Sequence, residues 1–419
     1  MINFRLLRNS DTALWICAAL LVIIGFLSIY SSTFSMLSKK STVFDDIRPD
    51  PFMFVERHLV SFLLGLAALL LFSYLDYSHF ENTWLWFYGG MLLLLGAVAV
   101  AGSQTYGAQR WIGIGFFSLQ PSEIAKLVMI FAVGRFISVR GGLKTLSDLL
   151  LLGILIGVPF LLIFKQPDLG TSLVLVAITY GMALTGAPSL AVVLALIAPL
   201  LSVVFCFHPV LWAVYLIALC GLLWVLKPGL WESCSVFGAG LAAGLLLPQL
   251  WNMLKGYQKE RFLSFLNPGA DPFGAGYHTI QSQIAIGSGG FFGSGFLRGT
   301  QTQLQFIPQQ WTDFIFSAVG EEFGLIGTML VLLLFLTIIW RALAIALGSR
   351  DLFGSLVAVG IASMYLFHVF VNIGMTLGMA PVVGIPLPLV SFGGTSLIMN
   401  LASIGVLQSI SMRRVKLFF

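Results

Sequence analysis

Charge is what this sequence has least of. Asp, Glu, Lys and Arg make up 9% of its 419 residues, against about a quarter in ordinary soluble domains. A chain of this length would fill roughly two or three soluble domains, and 17 acidic with 22 basic residues could not coat their surfaces. A soluble enzyme, a disordered protein and a nucleic-acid-binding module are therefore excluded. Cysteine is scarce too: Cys17, Cys206, Cys220 and Cys234 lie in or beside apolar runs with no CxxC pair, which reads as small apolar packing. Segments of about ten residues alternating apolar and polar, the mark of an outer-membrane barrel, are missing, and no repeat period is visible. The net charge of +5 is ordinary for a protein whose cationic loops face anionic lipid, and it implies no nucleic acid partner.

Apolar residues are what is there, at 58% of the chain, with a mean hydropathy of +0.97. Runs near the length of a membrane span occur at 13–33, 56–75, 84–102, 120–138, 149–164, 169–185, 189–206, 210–226, 233–250, 313–340, 354–377 and 390–411. Helices are expected, because open sheets leave backbone groups unpaired in lipid. The expected fold is an all-α polytopic membrane protein with about ten to twelve transmembrane helices. The stretch Ala13–Tyr30 is too long for a signal-peptide core and reads as a retained first span. Two polar loops interrupt the runs, at 34–55 and 251–312, and the count of spans puts both on one side and both termini on the other. Short connections on the termini side carry Arg135, Arg140, Lys144, Lys227, Arg341 and Arg350, which makes that side cytoplasmic by the positive-inside rule. The 251–312 segment is then a large extracytoplasmic loop, and a loop of that size is usually functional.

Several residues carry chemistry. Asp313, in FIPQQWTDFIFSAVGEEFG, stands where the polar loop meets an apolar helix. Two roles fit it: an N-terminal cap, shared with Thr312, or a general base whose pKa is lifted by apolar neighbours. Glu321 and Glu322 follow on the same helix, inside the span, where acids are costly and suspect. Glu123 and Lys126 are spaced i,i+3 on one helix face, as a register-fixing pair or as part of a site. Arg110 and Trp111 sit together at the outer interface, where a tryptophan is most often a belt residue. The run AIGSGGFFGSGFLRGTQ, containing Gly290, is dense enough in glycine to admit a ligand's close approach, but lacks a nucleotide-loop spacing. Lys255, Lys259, Arg261 and Arg298 give the outer loop a cationic cluster, either a solvated face or a clamp for a departing pyrophosphate. Asp168, in KQPDLGTS, reads first as a helix cap. PVVGIPLPLVSFGG suggests a broken helix lining a cavity.

Taken together, GAQRWIGIGFFSLQPSEIAKL, KQPDLGTSLV, YQKERFLSFLNPGADPFGAGYHTIQSQIAIGSGGFFGSGF, TDFIFSAVGEEFG and GIPLPLVSFGGTSLI are specific. The chain resembles the SEDS family (shape, elongation, division and sporulation), and GFLRGTQTQLQFIP looks most like its RodA branch. The resemblance implies a peptidoglycan glycosyltransferase of the bacterial inner membrane that polymerises lipid II. Its expected partners are the growing lipid-linked glycan, a class B penicillin-binding protein and the elongation or division machinery. It implies that Asp313 is the catalytic aspartate, Trp111 the outer-loop tryptophan, and Glu123 with Lys126 the intramembrane pair. Inverting transfer is expected, with Arg110, Lys255, Arg261 and the Gly290 loop on the substrate or pyrophosphate; a lipid II flippase is the competing reading. No motif fixes a cofactor, and a divalent cation such as Mg2+ is compatible with the chemistry. Two departures stand out. The family's Glu and His just before the TDF block are Gln309 and Trp311 here, and its ten spans become twelve, with the surplus near 206–232 expected to be an inserted helical pair.

Overall fold

In a computed structural model, residues 9–38, 51–101, 103–105, 108–114, 117–253, 256–272, 274, 276–307 and 309–414 are described. Each of the twelve apolar runs is a helix. In chain order these are α1 (Thr12–Ser38), α2 (Pro51–Tyr74), α3 (Ser78–Ala101), α4 (Pro121–Arg140), α5 (Leu146–Lys165) and α6 (Leu169–Thr185). Then come α7 (Leu190–Phe205), α8 (Pro209–Leu226) and α9 (Leu230–Met253). Four short elements follow: α10 (Gly256–Leu266), a 3-10 turn (Pro268–Ala270), α11 (Tyr277–Ser288) and α12 (Thr300–Gln303). The last three long helices are α13 (Ile315–Leu347), α14 (Leu352–Thr376) and α15 (Gly394–Met412). Eight helices are long and apolar enough to cross a membrane by themselves, and α6 and α7 are apolar but shorter. In α4, Glu123, Lys126, Arg135 and Arg140 interrupt the apolar run.

The expected helical fold class holds, with a small addition: β1 (Ser103–Thr105), β2 (Ala108–Ile114) and β3 (Phe117–Leu119) form an antiparallel sheet between α3 and α4. Gly113 pairs with Ser118, and Ile112 with Leu119. The strands were missed because a strand of three to seven residues has no long-range signature in the sequence. One sequence expectation needs correction in its bounds: residues 206–232 do not hold a complete helical pair. A span needs about 20 residues, so the segment contains the single helix α8 and the turn after it, and the antiparallel partner is α9, which runs to Met253.

The core is built from α1, α4, α13, α14 and α15, where Leu21, Ile130, Phe335, Phe353 and Tyr365 are fully buried. In contrast, α8 packs against α7 and α9 and turns Val210, Ile217, Trp224 and Val225 outward. An apolar exterior of that kind suits lipid. Ion pairs gather at the termini end of the bundle: Asp11 with Arg341 at 2.5 Å, Glu81 with Arg135 at 2.6 Å and Asp76 with Arg413 at 3.4 Å.

The opposite end is irregular. Residues 289–295 lie against α13 where Gly324 (φ 65°) breaks the helix. Ser294 N–H donates to Glu321 O, Gly295 N–H to Glu322 O, Leu325 N–H to Gly290 O and Ile326 N–H to Phe291 O, all at 2.9–3.2 Å. The loop thus replaces the helical bonds that the break removes. A Cβ on Gly293 (φ 82°) would fall 2.0 Å from Glu322 O, so this glycine admits the backbone of α13, whereas Gly290 has nothing within 4 Å of an added Cβ. As expected, 381–393 is non-helical and leads into α15.

Candidate functional site

Asp313 ends the irregular stretch before α13. Its carboxyl does not cap that helix: the N-cap is Phe314 and no side-chain cap bond is made. Three successive carbonyls hold the stretch in place. Trp311 O accepts from Phe392 N–H at 2.9 Å, Thr312 O from Ser391 Oγ at 2.6 Å, and Asp313 O from Asn372 Nδ2 at 2.9 Å. With its backbone spent on structure, the half-buried carboxyl is left for other work. It faces the Cα of Gly384, where an added Cβ would stand 3.3 Å from Oδ2.

Burial pushes the Asp313 carboxyl up to about 6. Arg261 and Arg110 pull it down and Asp168 adds to the rise, so all three lie within electrostatic reach. Burial outweighs the two cations. An aspartate of this kind is ionised in only part of the molecules at slightly acid pH and fully at neutral pH, as a working base requires.

Each neighbour has a local reason for its position. Arg110, on β2, donates to Gln166 O at 3.2 Å and to Pro167 O, and its guanidinium is 3.9 Å from Asp168. Asp168 caps α6, as its sequence context suggested, by accepting from Thr171 N–H at 3.2 Å. It also accepts from Thr171 Oγ1, Gln120 Nε2 and Ser122 Oγ. Arg261 is exposed on α10. Trp111 is half-buried on β2, paired across the sheet with Ser103.

Sequence reasoning missed His278. On α11, it stacks its ring on Phe314 at 5.8 Å and 14°, one residue from Asp313. Burial and Arg261 lower its pKa, so the ring is neutral at neutral pH. The chain has only five histidines, and that scarcity was the one available signal. Of the two residues that replace the SEDS Glu and His, Trp311 packs against Phe54 at 5.4 Å, and Gln309 takes a positive φ of 54°.

Other expected residues lie elsewhere. Gly290 is exposed and its carbonyl serves the α13 break, roughly 15 Å along the helix from Asp313 at 1.5 Å per residue. Lys255 lies outside the described residues. Glu123 and Lys126 pair at 2.7 Å in the core, and Lys126 also reaches His368 Nε2 at 3.2 Å. Glu321 is consumed by α12, taking Gln301 N–H, Thr302 N–H and two threonine hydroxyls. Among the described residues no three His, Cys, Asp or Glu side chains converge as a metal centre. A cleft of about 220 Å3 between α7 and the α8–α9 turn, lined by Leu190, Leu226, Pro228 and Glu232, is far from this chemistry.

A half-buried carboxyl within electrostatic reach of two guanidinium groups, at one end of an apolar bundle, suits attack on an anionic lipid-linked substrate. The comparisons with known proteins bear on that class. The sequence pattern of the family described as "Cell cycle protein", that of FtsW, RodA and SpoVE, matches residues 11–224 and 211–416. The chain belongs to this family. Peptidoglycan glycosyltransferase MrdB of Escherichia coli K12 is 38% identical over 362 residues, 86% of each chain. Stage V sporulation protein E of Bacillus subtilis is 36% identical over 412 residues, covering 96% of this chain and 97% of that one. Among solved structures, a chain described under the structural coordination of polymerization and crosslinking by a peptidoglycan synthase complex superposes with a TM-score of 0.71. It is 28% identical, over 97% of this chain and 99% of its own. RodA of Thermus thermophilus gives 0.62 at 26% identity, over 97% and 98%. The two family matches overlap at 211–224, which lies within α8.

Proposed function

We propose that this protein is a peptidoglycan glycosyltransferase that polymerises lipid II, and that Asp313 is its general base. A hydroxyl of the acceptor sugar gives its proton to the Asp313 carboxylate. The freed oxygen pair forms a bond to the anomeric carbon of the growing chain, and the bond from that carbon to the undecaprenyl pyrophosphate breaks. Attack from the face opposite the leaving group inverts the anomeric centre. Arg110 and Arg261 face the charge that gathers on the departing pyrophosphate, where preorganised cations act most strongly. General base catalysis contributes about 10²–10⁴-fold, and orientation of the two lipid-linked sugars supplies much of the rest.

The observation that carries the reading is the Asp313 carboxyl itself. It makes no cap, it is lifted to about 6 by burial, and it lies within electrostatic reach of two guanidinium groups. Support for the substrate class comes from relatives named peptidoglycan glycosyltransferase. A transpeptidase of the class B penicillin-binding type is the proposed partner, in keeping with the synthase complex to which one structural neighbour belongs. The termini end is proposed to be cytoplasmic and the Asp313 end extracytoplasmic. We further propose that α8 and α9 are an inserted, peripheral pair serving partner contact or lineage-specific packing. The flippase reading has less support, because Glu123, Lys126 and Glu321 are spent on internal partners.

The test is Asp313→Asn in the purified protein with lipid II, with and without a class B partner. Asn keeps the size and loses the base, so polymerisation is expected to fall at least about 100-fold with folding unchanged. Activity within about twofold of wild type would refute the assignment.

A further inference from the structure

A buried chain of polar contacts runs from the core of the bundle to Asp313. Glu123 Oε2 meets Lys126 Nζ at 2.7 Å, and Lys126 Nζ meets His368 Nε2 at 3.2 Å. His368 Nδ1 then reaches Pro386 O at 3.2 Å. One turn further along α14, Asn372 Nδ2 donates to Ile385 O at 2.7 Å and to Asp313 O at 2.9 Å. His368 and Asn372 are spaced i,i+4 and share a helix face. Between them they serve two consecutive carbonyls of the non-helical segment and the carbonyl of Asp313.

We propose that His368 and Asn372 are positioning residues, through which the Glu123–Lys126 pair fixes the segment that closes over Asp313. The inference rests on the reading of Asp313 as the base. A lysine ammonium can only donate, so Nε2 of His368 must accept. The proton of the neutral ring is then on Nδ1, which donates to Pro386 O; this tautomer is assigned from the network. Glu123, 2.7 Å from Nζ, holds Lys126 in place. Remove the ammonium and nothing holds the imidazole in the tautomer that serves Pro386.

The segment depends on that service. Ile385 and Pro386 lie outside any helix, so their carbonyls have no helical donor and are met instead by the buried side chains of Asn372 and His368. Gly384 comes immediately before them, against Asp313 Oδ2. Releasing the two carbonyls therefore loosens the wall beside the catalytic carboxyl. The buried pair acts on the reaction without touching substrate.

The experiment compares His368→Phe, His368→Gln and Asp313→Asn in the full-length protein with its class B partner, using lipid II. It reads kcat, KM and the acid limb of kcat against pH. Phe fills the space and offers neither contact. Gln can accept from Lys126 and donate to Pro386 O. His368→Phe is expected to lower kcat roughly 10–100-fold, the scale of a small misplacement, with KM within about threefold. Its acid limb is expected to move to lower pH, because water reaching Asp313 relieves the burial that raises it. The groups facing Asp313 (Arg261 on α10, Arg110 on β2, Asp168 at the start of α6 and His278 on α11) are unchanged. His368→Gln is expected to restore at least half of kcat and the wild-type acid limb. If His368→Phe does not accumulate, Asn372→Ala takes its place with the same expected shift. Wild-type kcat and acid limb in a folded His368→Phe, or a His368→Gln as slow as His368→Phe, overturn the inference. An active Asp313→Asn refutes the base itself, separately from these outcomes.

Discussion

Replacing Glu321 separates an intramembrane acid that holds structure from one that does chemistry. Its side chain is 1% exposed. Oε1 accepts from Gln301 N–H at 2.7 Å and Thr300 Oγ1 at 3.3 Å, and Oε2 from Thr302 N–H at 2.8 Å and Thr302 Oγ1 at 2.5 Å. The hydroxyls can rotate to other acceptors; the two amides cannot. Glu321→Ala strands both, at about 1–3 kcal/mol each, and adds a void, so the total is roughly 3–6 kcal/mol. Glu321→Gln keeps one acceptor and turns an NH2 toward the other amide, at about 1–3 kcal/mol. Thermal unfolding in detergent is expected to rank wild type above Gln and Gln above Ala, with Ala down by about 5 °C or more. Polymerisation by folded Glu321→Gln is expected to stay near wild type. An Ala variant within about 1 °C of wild type would refute the structural account, and a stable but inactive Gln variant would move Glu321 into the reaction.

Three further outcomes are expected. Polymerisation should rise with pH through a midpoint near 6, standing at about a tenth of its plateau at pH 5; a midpoint near 4 would mean that the carboxyl is not shielded. The sign for stability is opposite: the folded state holds this proton up to about pH 6 and the unfolded chain to about 3.8, so the contribution is full below 4 and lost as pH rises through 6. Removing Glu123 or Lys126 alone should destabilise by about 3–5 kcal/mol, and removing both for apolar residues by less, so an additive double mutant in thermal unfolding would deny the coupling. Gly293→Ala, which drives a Cβ onto Glu322 O, should lower the melting point by several degrees, and an unchanged value would show that the loop can leave α13.

Local patterns carried the sequence reading as far as local patterns reach. Every long helix could be located because an apolar run of that length has few other uses, and eight of them are long and apolar enough to cross a membrane; Glu123 with Lys126 was legible because i,i+3 is fixed by helix geometry. Asp313 could be singled out, but whether it caps the helix was open until Phe314 is seen to take the cap position. His278, His368 and Asn372 were invisible: their partners Phe314, Lys126 and Ile385 come from other elements. The packing of the glycine run was equally hidden, since the close neighbour of Gly289 and Gly293 is α13. In the surplus segment the helix count failed at the boundary, where 206–232 was too short for two spans.

The four backbone bonds between residues 289–295 and the broken α13 have a mechanical consequence. Pulling that strip away would bare amides and carbonyls at a depth where each costs several kcal/mol, so the 277–303 half of the outer segment behaves as a stiff extension of the bundle. The α10 half is built differently: its helix lies exposed and packs against the Pro268–Ala270 turn, which in turn touches α11. The strip at 289–295 is thus the place where the outer segment is joined to the backbone of a bundle helix rather than laid against its side chains.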